Sequence, residues 1–253
     1  MHNHNALPHH LWKPFSQFGL HGDFWTLQLE TLIDTWIVLS LLFIVSMYIY
    51  RCLKNEQSLV RHAVLSYVKY FQDILIQSIH ACPIEHLSFI GTLFTFIVLC
   101  NMIQIIIPWS EEPTKDLNTT FALSILALVY VHFHAIKARG IKNYIAGYFA
   151  PFFFMFPLHV LGLFSSILSL SFRLYGNIFA GFIISSLYTG MLSGSILLQT
   201  IGLITGTNLS MILIFGLFEG LIQAFVFTML TTTYLSMEVL HEEEDATNFN
   251  IIP

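Results

Sequence analysis

From residue 143 to residue 218 the chain carries one formal charge, Arg173, and from residue 86 to residue 110 it carries none. A helix in water needs a polar face, and strands average only about six residues, so neither accounts for runs of this length. An apolar stretch of about 20 residues spans the ~30 Å hydrocarbon core of a bilayer as a helix. In lipid every backbone N–H and C=O must be paired within a helix or a closed barrel. A barrel alternates apolar and polar residues over segments of about ten, whereas the apolar character here is continuous. Only 10% of the 253 residues are charged, against about 25% in soluble domains. The fold class is therefore all-α: a polytopic membrane protein with about five membrane helices and one amphipathic surface helix.

The uncharged intervals divide the chain. Residues 1–28 form a polar, His-rich extramembrane arm, and 29–82 hold the first span (about Leu32 to Tyr50) and an amphipathic segment. In that segment Val60, Val64, Tyr67, Phe71, Leu75 and Ile79 recur at helical spacing while Arg61, Lys69 and Asp73 interrupt them. Residues 83–240 form the main membrane region, with spans at about 83–107 and 117–136, the latter capped by Asn118 or Thr119. Two longer apolar stretches follow, about 157–192 and 208–237. The first would be about 52 Å long as a helix, too long to stand upright. It is either a tight hairpin or one strongly tilted helix, and the lack of a turn cluster before Ser193 favours tilt. Residues 241–253, HEEEDATNFNIIP, form an acidic, solvated tail.

The chain begins without a cationic, apolar leader, so insertion is expected to use these helices. Seven of the ten basic residues fall on one side if the first span runs outward to inward, which predicts an external amino terminus. The net charge of −5 excludes a broad basic surface for nucleic acid. Cys52, Cys82 and Cys100 have no metal-type spacing and read as packing residues. His132 and His134, two residues apart, point to different helix faces and make a poor metal pair.

An ionised Arg deep in a span costs about 2.5–3.5 kcal/mol on insertion scales unless it meets a partner or water. Arg173 is thus the strongest functional signal, against the alternative of snorkelling to an interface. Asn177 shares its helical face, and Gly176 and Gly181 thin the surface so that another helix can approach. Glu219 and Gln223 form a second pair four residues apart, suited either to relaying protons or to clamping two helices together.

The segment SLSFRLYGNIFAG around Arg173 closely resembles the signature helix of the a subunit of rotary F-type ATP synthases. LIQAFVFTMLTTTYLSM is similar to that family's last helix. NMIQIIIP followed by PTKDLNTT resembles its Asn-led helix end, acidic loop and Asp-Leu-Asn-x-Thr helix start. The likeness covers most of residues 84–240, in family order.

The resemblance implies the stator half of a proton turbine, with two long tilted helices set against a c-subunit ring. Two half-channels would carry protons to and from the ring carboxylates, coupling ion flow to ATP synthesis by a separate F1 head. Arg173 matches the essential arginine, Asn177 and Gln223 the polar positions near it, and Asp116 and Asn118 the start of the third span. Implied partners are the c-ring, peripheral-stalk b subunits, other Fo and F1 subunits and membrane lipid. The expected location is a bacterial inner membrane, with an organellar inner membrane as the alternative.

In the family, the position nine residues after the arginine carries Glu or His; here it is Phe182. Seven residues before the glutamine, where His or Glu is usual, stands Gly216. Glu219 is expected to take over the carboxylate role, and His159, fourteen residues before Arg173, to supply a second titratable group. No phosphate-cradling glycine loop, Ser/His/Asp order or zinc spacing occurs, so neither metal, cofactor nor an active site of its own is expected. A secondary transporter is the runner-up, disfavoured because no inverted repeat is visible. The sequence leaves open proton against sodium and the size of the ring.

Overall fold

The computed structural model describes residues 11–12, 27–54, 59–79, 83–107, 112–149, 152, 154–194, 200, 206–207, 210 and 212–249. Most of the His-rich arm and of the Gly/Ser/Thr-rich turn after residue 194 lies outside them. Of the arm, Leu11–Trp12 pairs antiparallel with Leu27–Gln28, leading directly into α1 (Leu29–Leu53). The helices α2 (Leu59–Ile79), α3 (Ile84–Ile106), α4 (Leu117–Arg139), α5 (Ile141–Phe149) and α6 (Met155–Ser193) follow. The last element, α7 (Glu219–Phe249), is entered through a wider π-type winding over Ile212–Phe218. Among the described residues five helices, α1, α3, α4, α6 and α7, are long and apolar enough to cross a membrane.

α2 is not among those five, in keeping with its charges. Its apolar stripe, Phe71, Leu75 and Ile79, is buried with Ile90 of α3, Val131 of α4 and Leu235 of α7. Tyr67 donates to the Gly91 carbonyl at 2.8 Å and contacts the Thr95 hydroxyl at 2.8 Å. Its partner is thus the chain's own bundle.

The third span begins differently from expectation. The cap is Asp116, whose carboxylate accepts the Asn118 N–H at 3.1 Å, and neither Asn118 nor Thr119 takes that place. A short carboxylate reaches back to an orphan N–H of the first turn while its own backbone stays extended. At the other end Gly140 stops α4 at φ 77°, a left-handed conformation that side chains disfavour. The short helix α5 that follows was not visible in the hydropathy.

α6 is one continuous helix of 39 residues, about 58 Å long at 1.5 Å per residue and nearly twice the hydrocarbon thickness. The hairpin alternative is excluded. α7 also departs from expectation: it continues as helix through the acidic HEEEDATNF segment to Phe249.

The central core joins four helices. Leu93 and Ile97 of α3, Leu123 and Ala127 of α4, Leu170 and Leu174 of α6, and Ala224 and Phe227 of α7 form one cluster. Thr120 of α4 and Ser171 of α6, both 0% exposed, touch hydroxyl to hydroxyl at 3.1 Å and pin α6 in register. Only 11% of the apolar window of α6 is buried, against 44% for α3 and for α7. One broad side of α6 is therefore left uncovered by the described residues.

Candidate functional site

Arg173 lies two residues beyond the Ser171 pin. Because Ser171 and Leu174 turn into the core, Arg173 and its neighbour Phe172 are exposed on the uncovered side of α6. Among the described residues no carboxylate is ion-paired with it. One turn on, Asn177 is half-buried and faces a narrow cleft between helices. Glu219, from the first turn of α7, and Asn101, from the last turns of α3, line the same cleft.

A residue that sequence reasoning did not single out completes this lining: Glu112, from the loop between α3 and α4. Burial pushes its carboxyl up to about 7; the nearby Lys115 cation opposes the shift and the Glu219 carboxylate adds to it. The acidic character of PWSEEPTKDLNTT was plain. Nothing in that string says which of its acids turns inward.

The cleft is held open by a small polar lock. Asn101 is 2% exposed. Its amide donates to the Gly220 carbonyl at 3.0 Å, and its carbonyl accepts from the Thr114 hydroxyl at 2.9 Å. Thr114 is 0% exposed and sits in the single turn Pro113–Lys115. One side chain of α3 thus fixes both the start of α7 and the loop that carries Glu112. The close approach requires Gly220: a Cβ there would lie 2.8 Å from Asn101 Cβ, closer than real atoms come.

The two departures from the family pattern also have a structural setting. A Cβ on Gly216 would lie 3.2 Å from Ile105 Cδ1, so a large side chain there would have to displace Ile105. Phe182 lies under the Lys115 ammonium, 3.8 Å from the ring centroid. A cation–π contact therefore ties the Pro113–Lys115 turn to α6.

Of the predicted residues, Asn177 and Glu219 share the cleft, and Gln223, half-buried, lies one turn beyond Glu219 on α7. Asp116 is the half-buried cap of α4 and Asn118 is exposed beside it. His159 is not brought to this group. It is exposed near the start of α6, donating through Nδ1 to the Tyr148 carbonyl of α5 at 3.2 Å. The cleft lies where α3 ends and α4 begins, and His159 lies past the far end of α4. Along α6 it is about 21 Å from Arg173. That far end holds its own polar contacts. His132 meets the Tyr144 hydroxyl at 2.7 Å, His134 lies 3.5 Å from Glu85, and Arg139 pairs with Glu238 at 3.6 Å. Among the described residues no three His, Cys, Asp or Glu side chains cluster to hold a metal.

Residues 32–236 match the family described as ATP synthase A chain. The chain belongs to that family. It is 33% identical over 225 residues to ATP synthase subunit a of Desulforamulus reducens, covering 85% of this chain and 81% of that one. It is 31% identical over 222 residues to ATP synthase subunit a 2 of a Picosynechococcus species, covering 85% and 87%. With ATP synthase subunit a of Bacillus subtilis it shares 37% over 164 residues, 60% of this chain and 67% of that one. Within the A chain family, the matched span holds all five membrane-length helices apart from the ends of α1 and α7.

Proposed function

We propose that this chain is the ion-translocating stator subunit of the membrane sector of an ATP synthase, working in a bacterial inner membrane. It performs no catalysis itself. It passes protons between two half-channels and a c-subunit ring seated on the uncovered side of α6, and the F1 head makes ATP. The b subunits and the remaining Fo and F1 subunits complete the assembly.

The observation that carries this reading is Arg173: an exposed guanidinium on the broad uncovered face of a 39-residue apolar helix. In hydrocarbon such a group is tolerated only against a partner or water. A ring carboxylate arriving opposite it is favoured in its ionised form, so the arginine makes the site give up its proton and stops a direct leak past it. Asn177 and Gln223 offer neutral hydrogen bonds to the same approach. Glu219 stands in the cleft as the titratable group that replaces those absent at Phe182 and Gly216. Asp116 and Asn118 shape the outer wall, and His159 serves the opposite half-channel, since it lies at the other end of the bundle. One elementary charge crossing 100 mV releases about 2.3 kcal/mol, so several must be summed per nucleotide, as a turning ring does.

Two measurements test this. In mild detergent the chain should co-purify with a ring of small hairpin subunits. Arg173→Ala should abolish proton-driven ATP synthesis in vesicles, and Glu219→Gln should lower it severely. Preserved coupling in Arg173→Ala would overturn the assignment.

A further inference from the structure

The cleft beside Asn177 is built by four elements that meet only through tertiary packing: α3 supplies Asn101, the α3–α4 loop Glu112, α6 Asn177 and α7 Glu219. Two of these are carboxyls. Around Glu112, the charged and titratable neighbours among the described residues include Lys115 in its own loop, Glu219 on α7 and the buried Cys100 on α3. The lock between Asn101 and Thr114 sets the loop's height, two residues from Glu112, against the first turn of α7. Glu112 also stands in the loop between α3 and α4, outside the membrane-length helices, whereas Glu219 lies within the last of them.

We infer that Glu112 is the entry group of the outer half-channel, taking a proton from external water and handing it to Glu219 through the cleft beside Asn177. This rests on the proposed ion-translocating function and adds a residue to it. In the transfer, the O–H bond of protonated Glu112 breaks as an O–H bond forms on ionised Glu219, directly or through water in the cleft. Glu112 is left as a carboxylate, ready to be reprotonated from outside, and no oxidant or co-reactant is needed. A carboxyl poised at about 7 exchanges protons readily with water near neutral pH, as a relay group should. The Glu112–Glu219 pair thus fills the place of the relay pair missing at Phe182 and Gly216, using other backbone positions.

The assembled synthase in sealed vesicles tests this. Glu112→Gln, close in shape but unable to titrate, should cut proton-driven ATP synthesis at least about tenfold at external pH 7, and Glu112→Asp should restore most of it. A Glu112→Gln complex with the unmodified rate and unmodified external pH profile overturns the assignment. Arg173→Ala, run alongside, separates the two levels: coupling lost there but intact in Glu112→Gln removes only Glu112, whereas coupling intact in both removes the translocation reading itself. Should the Gln variant fail to assemble, the unaltered complex decides. Dicyclohexylcarbodiimide, which attacks protonated carboxyls, should modify the peptide bearing Glu112 with a pH midpoint of about 7. No modification at pH 6 overturns the proposal.

Discussion

Asn101→Ala should loosen the cleft by a calculable amount. The substitution removes one hydrogen bond to the Gly220 carbonyl and strands the hydroxyl of Thr114, both at sites closed to solvent. Each buried group left unsatisfied costs about 1–3 kcal/mol, so the single variant, with two, should lose about 2–6 kcal/mol. Thr114→Val strands only the Asn101 carbonyl and should lose about 1–3 kcal/mol. With both changes the Asn101–Thr114 pair is gone and only the Gly220 carbonyl still lacks its side-chain donor, so the double variant should lose less than the two singles together. Hydrogen bonds between membrane helices couple by about 0.6 kcal/mol on average and up to about 1.7; the upper end applies here because both groups are fully buried. The assay is a double-variant cycle on the purified chain in mixed micelles, unfolded by titration with sodium dodecyl sulfate. Losses that add within about 0.3 kcal/mol, or an Asn101→Ala loss below about 0.5 kcal/mol, would refute the lock.

Glycine substitutions separate the two faces of the site. Gly220→Ala drives a Cβ into Asn101 and should cost about 1–3 kcal/mol in the same micelle assay. Gly176→Ala, which meets nothing within 4 Å, should leave the chain's stability unchanged yet impair coupling in the assembled synthase if the proposed ring packs on that face. Stability should also report on Glu112. Because folding raises its carboxyl from 4.5 to about 7, its contribution is complete below pH 4.5 and is lost as pH rises through about 7. The stability difference between Glu112→Gln and the unaltered chain should accordingly grow from near zero at pH 4 to about 3 kcal/mol at pH 8 in favour of Gln. A flat difference across that range would contradict it. Removing the Tyr67 hydroxyl in Tyr67→Phe, which takes away its contacts with the Gly91 carbonyl and the Thr95 hydroxyl but leaves those two bonded to each other, should cost about 1 kcal/mol by thermal unfolding.

The sequence by itself determined the membrane architecture and the singular place of Arg173, whereas one long helix in place of a hairpin after residue 157 was decided by the structure. Lipid imposes a local rule, since each segment must satisfy its own backbone and carry almost no charge over a fixed length. Hydropathy and charge along the chain therefore mark spans directly, and a lone guanidinium in such a run declares itself. Only the tertiary structure decided which titratable groups meet. Glu112 and Glu219 are far apart in sequence and come to one cleft because Asn101 can approach the bare backbone of Gly220. His159 sits on the same helix as Arg173 yet belongs to the opposite end of the bundle. Such encounters depend on how helices cross and how closely they pack, and packing of this kind leaves no periodic trace in a single chain.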